Sequence, residues 1–140
     1  MSESDKQHGL NNPLLESLGI ALTRWGVGIS EFDLAIAPKH LNRGGSLQGG
    51  VAATMLDAAC GYAGLITEPN ESPGNGLTLL LTISYLSRVS TGRIRAAGRL
   101  TRSGRSVYFA SAELINEQGG LIATAQGAFK RIAERSAGSL

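Results

Sequence analysis

One segment limits what this chain of 140 residues can become. From Val51 to Ile66 no turn signal interrupts a run of alanine, leucine, methionine and other small or apolar residues. Val51, Met55, Ala58, Ala59, Tyr62 and Leu65 recur at helical spacing. Ala53, Asp57, Gly61 and Gly64 make a second stripe, small enough for a neighbouring backbone to come close. A helix that is apolar nearly all round has to be buried on several sides. It is too short, and too interrupted by Asp57 and glycine, to cross a bilayer. The rest of the chain must wrap it.

The following segments can do so. Glu68 to Gly76 is a loop by its proline, asparagine and glycine content. Leu77–Ser87, Gly92–Arg102, Ser106–Ile115 and Leu121–Ile132 read as strands, with turns at Ser103-Gly104 and Asn116–Gly120. In the first of them Leu79, Leu81, Ile83 and Tyr85 alternate with Thr78, Leu80, Thr82 and Ser84. Short connections predict an antiparallel meander. Upstream, Asn12-Pro13 opens a short helix with Leu14, Leu15 and Leu18 on its apolar face, ended by Gly19. Strands are expected over Ala21–Val27 and Ser30–Ala37. The expected class is α+β, a curved antiparallel sheet around one long central helix, the hotdog architecture. Residues 12–132 form the single domain of this reading, with disordered residues 1–11 before it and a flexible tail, 133–140, after it.

Composition narrows the partners. Apolar residues make up 42% and charged residues 17%, and the net charge is +2. The arginines are scattered, without the basic block or aromatic interleaving that nucleic acid requires. Cys60 is the only cysteine, so no disulfide forms within the chain, and a reducing compartment fits. The polar N-terminus lacks a signal-peptide core. A cytoplasmic protein without membrane or nucleic-acid partners is expected. His8 and His40 form no ligand cluster with acids or Cys60, so no metal is implied.

Chemistry concentrates between Asn42 and Asp57. A polar glycine-rich loop runs through Gln48-Gly49-Gly50 into the helix. Amides at a helix start are unpaired donors backed by the helix dipole, which suits an anion or a developing oxyanion. Tight packing is the commoner reason for a Gly-Gly pair at a helix start. Asp57, an acid among apolar neighbours, is either bound to a nearby hydroxyl or amide, or a general base or nucleophile. Gly49 and Asp57 lie about 12 Å apart along one helix. If both act on one substrate, the acid comes from a second copy of the chain, and sites form at a dimer interface.

The spacing Asn42, Gly45, Gln48-Gly49-Gly50, Asp57 resembles the signature of the PaaI-like acyl-CoA thioesterases of the hotdog superfamily. Gly76-Leu77-Thr78 with Ile83-Ser84-Tyr85-Leu86, and Gly104-Arg105-Ser106, are similar to later strands of that family. The resemblance spans roughly residues 12–132 and implies an acyl-CoA hydrolase without a separate cofactor, assembled as a dimer or tetramer. It implies that the Gly49 amide holds the thioester carbonyl and that Asp57 of the other subunit activates water or attacks directly. Asn42 would place the water or the carbonyl, and Thr78 would assist near the acid. Gln48 stands where most relatives carry His, and it cannot titrate near neutrality. A non-catalytic acyl-CoA-binding protein is therefore the alternative, and a hotdog dehydratase a third.

Gly50 extends the amide site, and Arg88, Arg102, Arg105, Lys130 and Arg131 are candidates for the phosphates of coenzyme A. Each is equally a solvated strand end or turn. His40 is expected as a solvated loop residue, and Cys60 as a small core residue without a formed thiolate. Trp25 and Tyr62 are open between acyl pocket and core.

Overall fold

The computed structural model describes residues 12–133. The expected disorder of 1–11 and almost all of the expected tail lie outside the described residues. The elements are α1 (Pro13–Leu18), β1 (Ala21–Gly26), β2 (Ile29–Ala35), a short 3-10 turn (Pro38–His40), α2 (Gly49–Ala63), β3 (Asn75–Tyr85), β4 (Arg93–Ser103), β5 (Val107–Asn116) and β6 (Leu121–Ile132). The strands form one six-stranded sheet in the order β1-β2-β4-β5-β6-β3. Every neighbouring pair is antiparallel. This is the expected hotdog fold, with α2 lying across one face of the curved sheet.

Local signals set the element ends. Asn12 caps α1 by accepting from the Leu15 N–H at 3.3 Å, and Gly19 closes it at φ 78°. Helix α2 starts two residues before the apolar run, at Gly49, and stops at Ala63 rather than at Ile66. At the stop the backbone tightens to three-residue spacing, Gly64 N–H donating to the Gly61 carbonyl and Leu65 N–H to the Tyr62 carbonyl, and packing admits only glycine at position 64. A Cβ on Gly64 would fall 2.3 Å from the Tyr108 ring, and the Arg131 guanidinium donates to the Gly64 carbonyl.

Met55, Leu56, Ala59 and Cys60 are fully buried against Phe32, Leu34, Ile94, Ala96, Tyr108, Ala110 and Phe129. The helix comes closest over Gly98 of β4, where an added Cβ would sit 2.0 Å from the Ala59 carbonyl oxygen. Ser30 of β2 donates to that same oxygen at 2.7 Å. The close backbone approach expected from the small stripe on the helix thus belongs to the strand side. On the stripe itself, Gly61 faces the Phe129 ring and Gly64 the Tyr108 ring.

Two expectations about β3 need correction. It does not continue into a meander with β4, because β2 and β5 already take both edges of β4. Strand β3 pairs only with β6 and forms the sheet edge, with Leu77, Leu79 and Leu80 all more than half exposed. Alternation also sets Thr78 on the face opposite to Ile83 and Tyr85. A bulge between Thr78 and Leu80 inserts one residue and turns Thr78 towards α2.

Candidate active site

The Asp57 carboxylate is half-buried in the middle of α2. Thr78 Oγ1 donates to its Oδ1 at 2.7 Å, the contact made possible by the bulge. Among the described residues, no cation lies within ion-pair distance of it. A cavity of about 210 Å³ opens beside it between α1, α2 and β3, lined by Leu14, Gly61, Tyr62 and Leu65 among others. Cys60 is fully buried, and its thiol is pushed up to about 12, first by burial and then by the charge of Asp57. The thiol stays protonated and is no nucleophile, as expected. Burial also pushes the Tyr108 phenol up to about 12, and its hydroxyl donates to the Gly61 carbonyl at 2.6 Å.

The start of α2 is a separate centre. Asn42 Oδ1 accepts the N–H groups of Gly44 and Ser46, each at 3.0 Å. Two converging donors fix the orientation of this amide, so Asn42 organises the loop and has only its Nδ2 donors to offer elsewhere. Gln48 is the N-cap residue in extended backbone (φ −63°, ψ 134°); its side chain is exposed and makes no capping bond. Its N–H donates to the His40 carbonyl at 2.8 Å. The Gly49 and Gly50 N–H groups have no partner among the described residues. Tyr85, at the end of β3, donates its hydroxyl to the Gly49 carbonyl at 2.7 Å. A cleft of about 560 Å³ lies here, lined by Asn42, Ser46, Gly49, Tyr85 and Arg88.

His40 overturns the reading of a solvated loop residue, being only 2% exposed. Its Nδ1 accepts from the Ala37 N–H at 2.9 Å, which leaves the proton on Nε2 to donate to the Leu18 carbonyl at 2.7 Å. One side chain therefore ties the end of α1 to the turn that leads into the Gly49 loop. Lys39 and Pro38 gave the sequence no way to reveal this, because both partners are backbone groups.

The basic candidates separate. Arg88 sits at the Gly49 cleft and donates from Nε to Ser46 Oγ at 2.8 Å. Arg102, Arg105 and Lys130 are exposed at the other end of the sheet, around the β4–β5 turn and the start of β3. Arg131 is a structural residue: it donates to the Gly64 and Gly104 carbonyls and lies over the Tyr108 ring, 4.4 Å from its centroid. Gly50 is exposed, and its carbonyl is taken by Thr54 Oγ1 at 2.8 Å. Tyr62 lines the Asp57 cavity, whereas Trp25 packs against Tyr62 and donates to its carbonyl at 2.9 Å. Sequence reading missed Tyr85, since alternation shows its face but not what its hydroxyl reaches.

The site thus holds an acid with no cation partner among the described residues beside a partly apolar cavity and, about two turns away, amides with no partner among the described residues beside a cleft that holds Arg88. The profile of the thioesterase superfamily matches residues 44–123, the span that holds both. The chain belongs to the thioesterase superfamily. As a member it is an enzyme, a hydrolase of thioesters. It is 31% identical over 120 residues to a Pseudomonas aeruginosa protein named "putative esterase", covering 85% of this chain and 88% of that one. It is 29% identical over 96 residues to acyl-coenzyme A thioesterase 13 of Mus musculus, covering 68% and 66%. The PaaI protein of the E. coli phenylacetic acid degradation operon has the same fold, with a TM-score of 0.80 at 22% identity and 93% of each chain covered.

Proposed function

We propose that this thioesterase hydrolyses acyl-CoA esters, with Asp57 of one subunit acting on a thioester held by the Gly49 amide of the other. One observation carries the reading. The open edge of β3 bears both half-sites, Thr78 with Asp57 near its start and Tyr85 with Gly49 at its end. Antiparallel pairing of two such edges about Leu81 sets residue 85 of one chain opposite residue 77 of the other. The acid of each subunit then faces the amide of its partner. An exposed apolar edge strand with unpaired backbone groups is a template for such pairing, and a two-fold axis makes the contact self-complementary.

In this site Asp57 takes a proton from water, and the hydroxide attacks the thioester carbon. The oxyanion that develops is stabilised by the Gly49 N–H, a fixed donor at a helix start. The Asn42 Nδ2 group can add a second hydrogen bond to the same oxygen. As the C–S bond breaks, the proton held by Asp57 passes to the coenzyme A sulfur, giving free acid and thiol. No step needs a proton from residue 48. Loop order rests on Asn42 and on the Gln48 backbone, so glutamine serves there. Arg88 at the cleft, with Arg102, Arg105 and Lys130 of the facing subunit, supplies positive charge for the phosphates of coenzyme A. A cytoplasmic setting fits the single, unoxidised Cys60.

Gly49→Pro removes the amide donor and puts a ring carbon in the place of its hydrogen. Proline is tolerated at the first helical position, and the Gln48 backbone already has the conformation that precedes proline. Gly49→Pro and Asp57→Asn chains should each be inactive alone. Co-refolded as an equal mixture they should regain about a quarter of wild-type turnover, because half the dimers carry one intact composite site. Absence of any regain, with mixed dimers demonstrated by mass, rejects a site shared between subunits.

A further inference from the structure

We infer that Tyr85 is a positioning residue for the reaction: its hydroxyl fixes the peptide between Gly49 and Gly50, and so aims the amides that meet the developing oxyanion. The inference rests on the Gly49 amide serving as the oxyanion donor, and names what holds that donor in place.

A donor raises the rate only to the extent that it already points where the oxyanion will form. Here the donor sits on a pivot. Two peptide planes meet at the Gly49 Cα, and glycine restricts the rotation between them less than any other residue. The first plane contains the Gly49 N–H and is fixed from the helix side. Its Gln48 carbonyl accepts from the Val51 N–H at 3.0 Å and from the Ala52 N–H at 3.2 Å. The second plane contains the Gly49 carbonyl and the Gly50 N–H, which a planar trans peptide sets on opposite sides of one bond. Tyr85 Oη donates to that carbonyl at 2.7 Å. Pinning the second plane against the first fixes the angle between the two N–H groups.

The bond adds orientation rather than satisfying an orphan. In the ordinary α pattern the carbonyl of the first helical residue already accepts from the N–H four residues on. The phenol comes from a strand end 36 residues away in sequence. Its contact with the pivot is close, since a Cβ on Gly49 would lie 3.5 Å from the Tyr85 oxygen and 3.6 Å from the ring. Tyr85 thus packs over Gly49 in the same cleft as Asn42 and Arg88. A hydrogen bond to a peptide oxygen also polarises that peptide and strengthens its N–H as a donor. Tyr85 is 55% exposed in the single chain, at the end of β3, so deleting the hydroxyl opens no hole in the core.

The test asks which chain must carry the hydroxyl. In a mixed dimer of Asp57→Asn and Gly49→Pro chains, the intact site takes its Gly49 from the Asp57→Asn chain. Tyr85→Phe is added to that chain in one mixture and to the Gly49→Pro chain in the other. Thiol release from hexanoyl-CoA or phenylacetyl-CoA, whichever the wild-type protein turns over faster, is measured per mixed dimer counted by mass. Turnover should be about tenfold lower in the first mixture than in the second, the scale of one hydrogen bond felt in the transition state. Both mixtures carry the same substitutions, so a loss of folding or pairing would lower them alike. In the otherwise wild-type chain, Tyr85→Phe should lower kcat about tenfold and leave KM within about twofold. Nitrogen-15 relaxation should show the order parameter of the Gly49 amide falling from about 0.85 to below about 0.6. Equal turnover in the two mixtures, or a Gly49 amide as ordered without the hydroxyl as with it, overturns the inference and leaves the shared site standing. No thiol release from the parent mixture rejects the shared site, and the inference falls with it.

Discussion

Asp33 and Asp57 are two acids held off the open surface of one sheet-and-helix fold, and their surroundings have little in common. Asp33, on β2, is gripped by Arg95, with Nε to Oδ1 at 2.8 Å and Nη2 to Oδ2 at 3.0 Å, and Thr23 adds a weaker bond at 3.4 Å. Glu31 and Arg93 extend this cluster over the sheet face away from α2. The pairing is mutual, for hydrogen bonding to Asp33 and then its charge hold the Arg95 guanidinium in its protonated form. Asp57 has a hydroxyl partner in Thr78 and no cation among the described residues. A carboxylate engaged on both oxygens by a guanidinium fork has less capacity left to accept from water. One with a single hydroxyl donor keeps more of that capacity. Asp33 is buried and Asp57 half-buried, and it is the partners that differ most: a guanidinium fork at one, a single hydroxyl at the other.

The sharpest way to break this contrast is to neutralise each acid. Asp57→Asn should lower kcat by about a thousandfold or more with an unchanged melting temperature, the scale expected of a lost general base. Asp33→Asn should leave turnover close to wild-type. Comparable losses from the two changes would show that the contrast in partners does not matter to function.

Thr78→Val tests the hydroxyl. Removing one hydrogen bond to a charged group should lower kcat about tenfold, by steady-state kinetics, with little effect on stability. Arg95→Lys is the counterpart on the other face. It replaces a bidentate fork by a point charge, and Arg95 is 46% exposed, so solvent screening keeps the loss small. A decrease on the order of 1 kcal/mol in urea unfolding is expected, with turnover retained.

The smallest effect concerns alkaline pH. The fold raises the Cys60 thiol and the Tyr108 phenol, each to about 12, so it favours their protonated forms. That stabilisation is complete below pH 9 and is lost as pH rises through 12. Unfolding free energy should therefore fall across this window, and Tyr108→Phe should flatten the fall. Because the charge of Asp57 contributes to both shifts, Asp57→Asn should let the buried Cys60 thiolate appear, by its ultraviolet absorbance, at a slightly lower pH. Identical titration curves in the two folded proteins would show that the acid and the thiol do not sense one another.

Much of this protein is written in its order of residues. The apolar helix, the strand segments and the turns between them depend on local periodicity and on proline, glycine and asparagine, whose effects act over a few residues. The spacing from Gly49 to Asp57 is also local, and helical rise alone separates amide from acid by about 12 Å. What the sequence could not reveal are contacts between distant segments. Strict alternation would turn Thr78 away from Ile83 and Tyr85, whereas the resemblance put it near the acid, and one inserted residue in the β3–β6 ladder brings it there. Sequence alone read His40 as solvated, because the carbonyl of Leu18 and the amide of Ala37 that bury it carry no side-chain signature. It ran β3 on into β4, although both edges of β4 were already taken. Register, edge occupancy and backbone partners are settled only when segments compete for the same hydrogen bonds and the same space. For that reason the acid was legible in the chain, and its hydroxyl partner's face, its cavity and its open strand edge were decided by the tertiary structure.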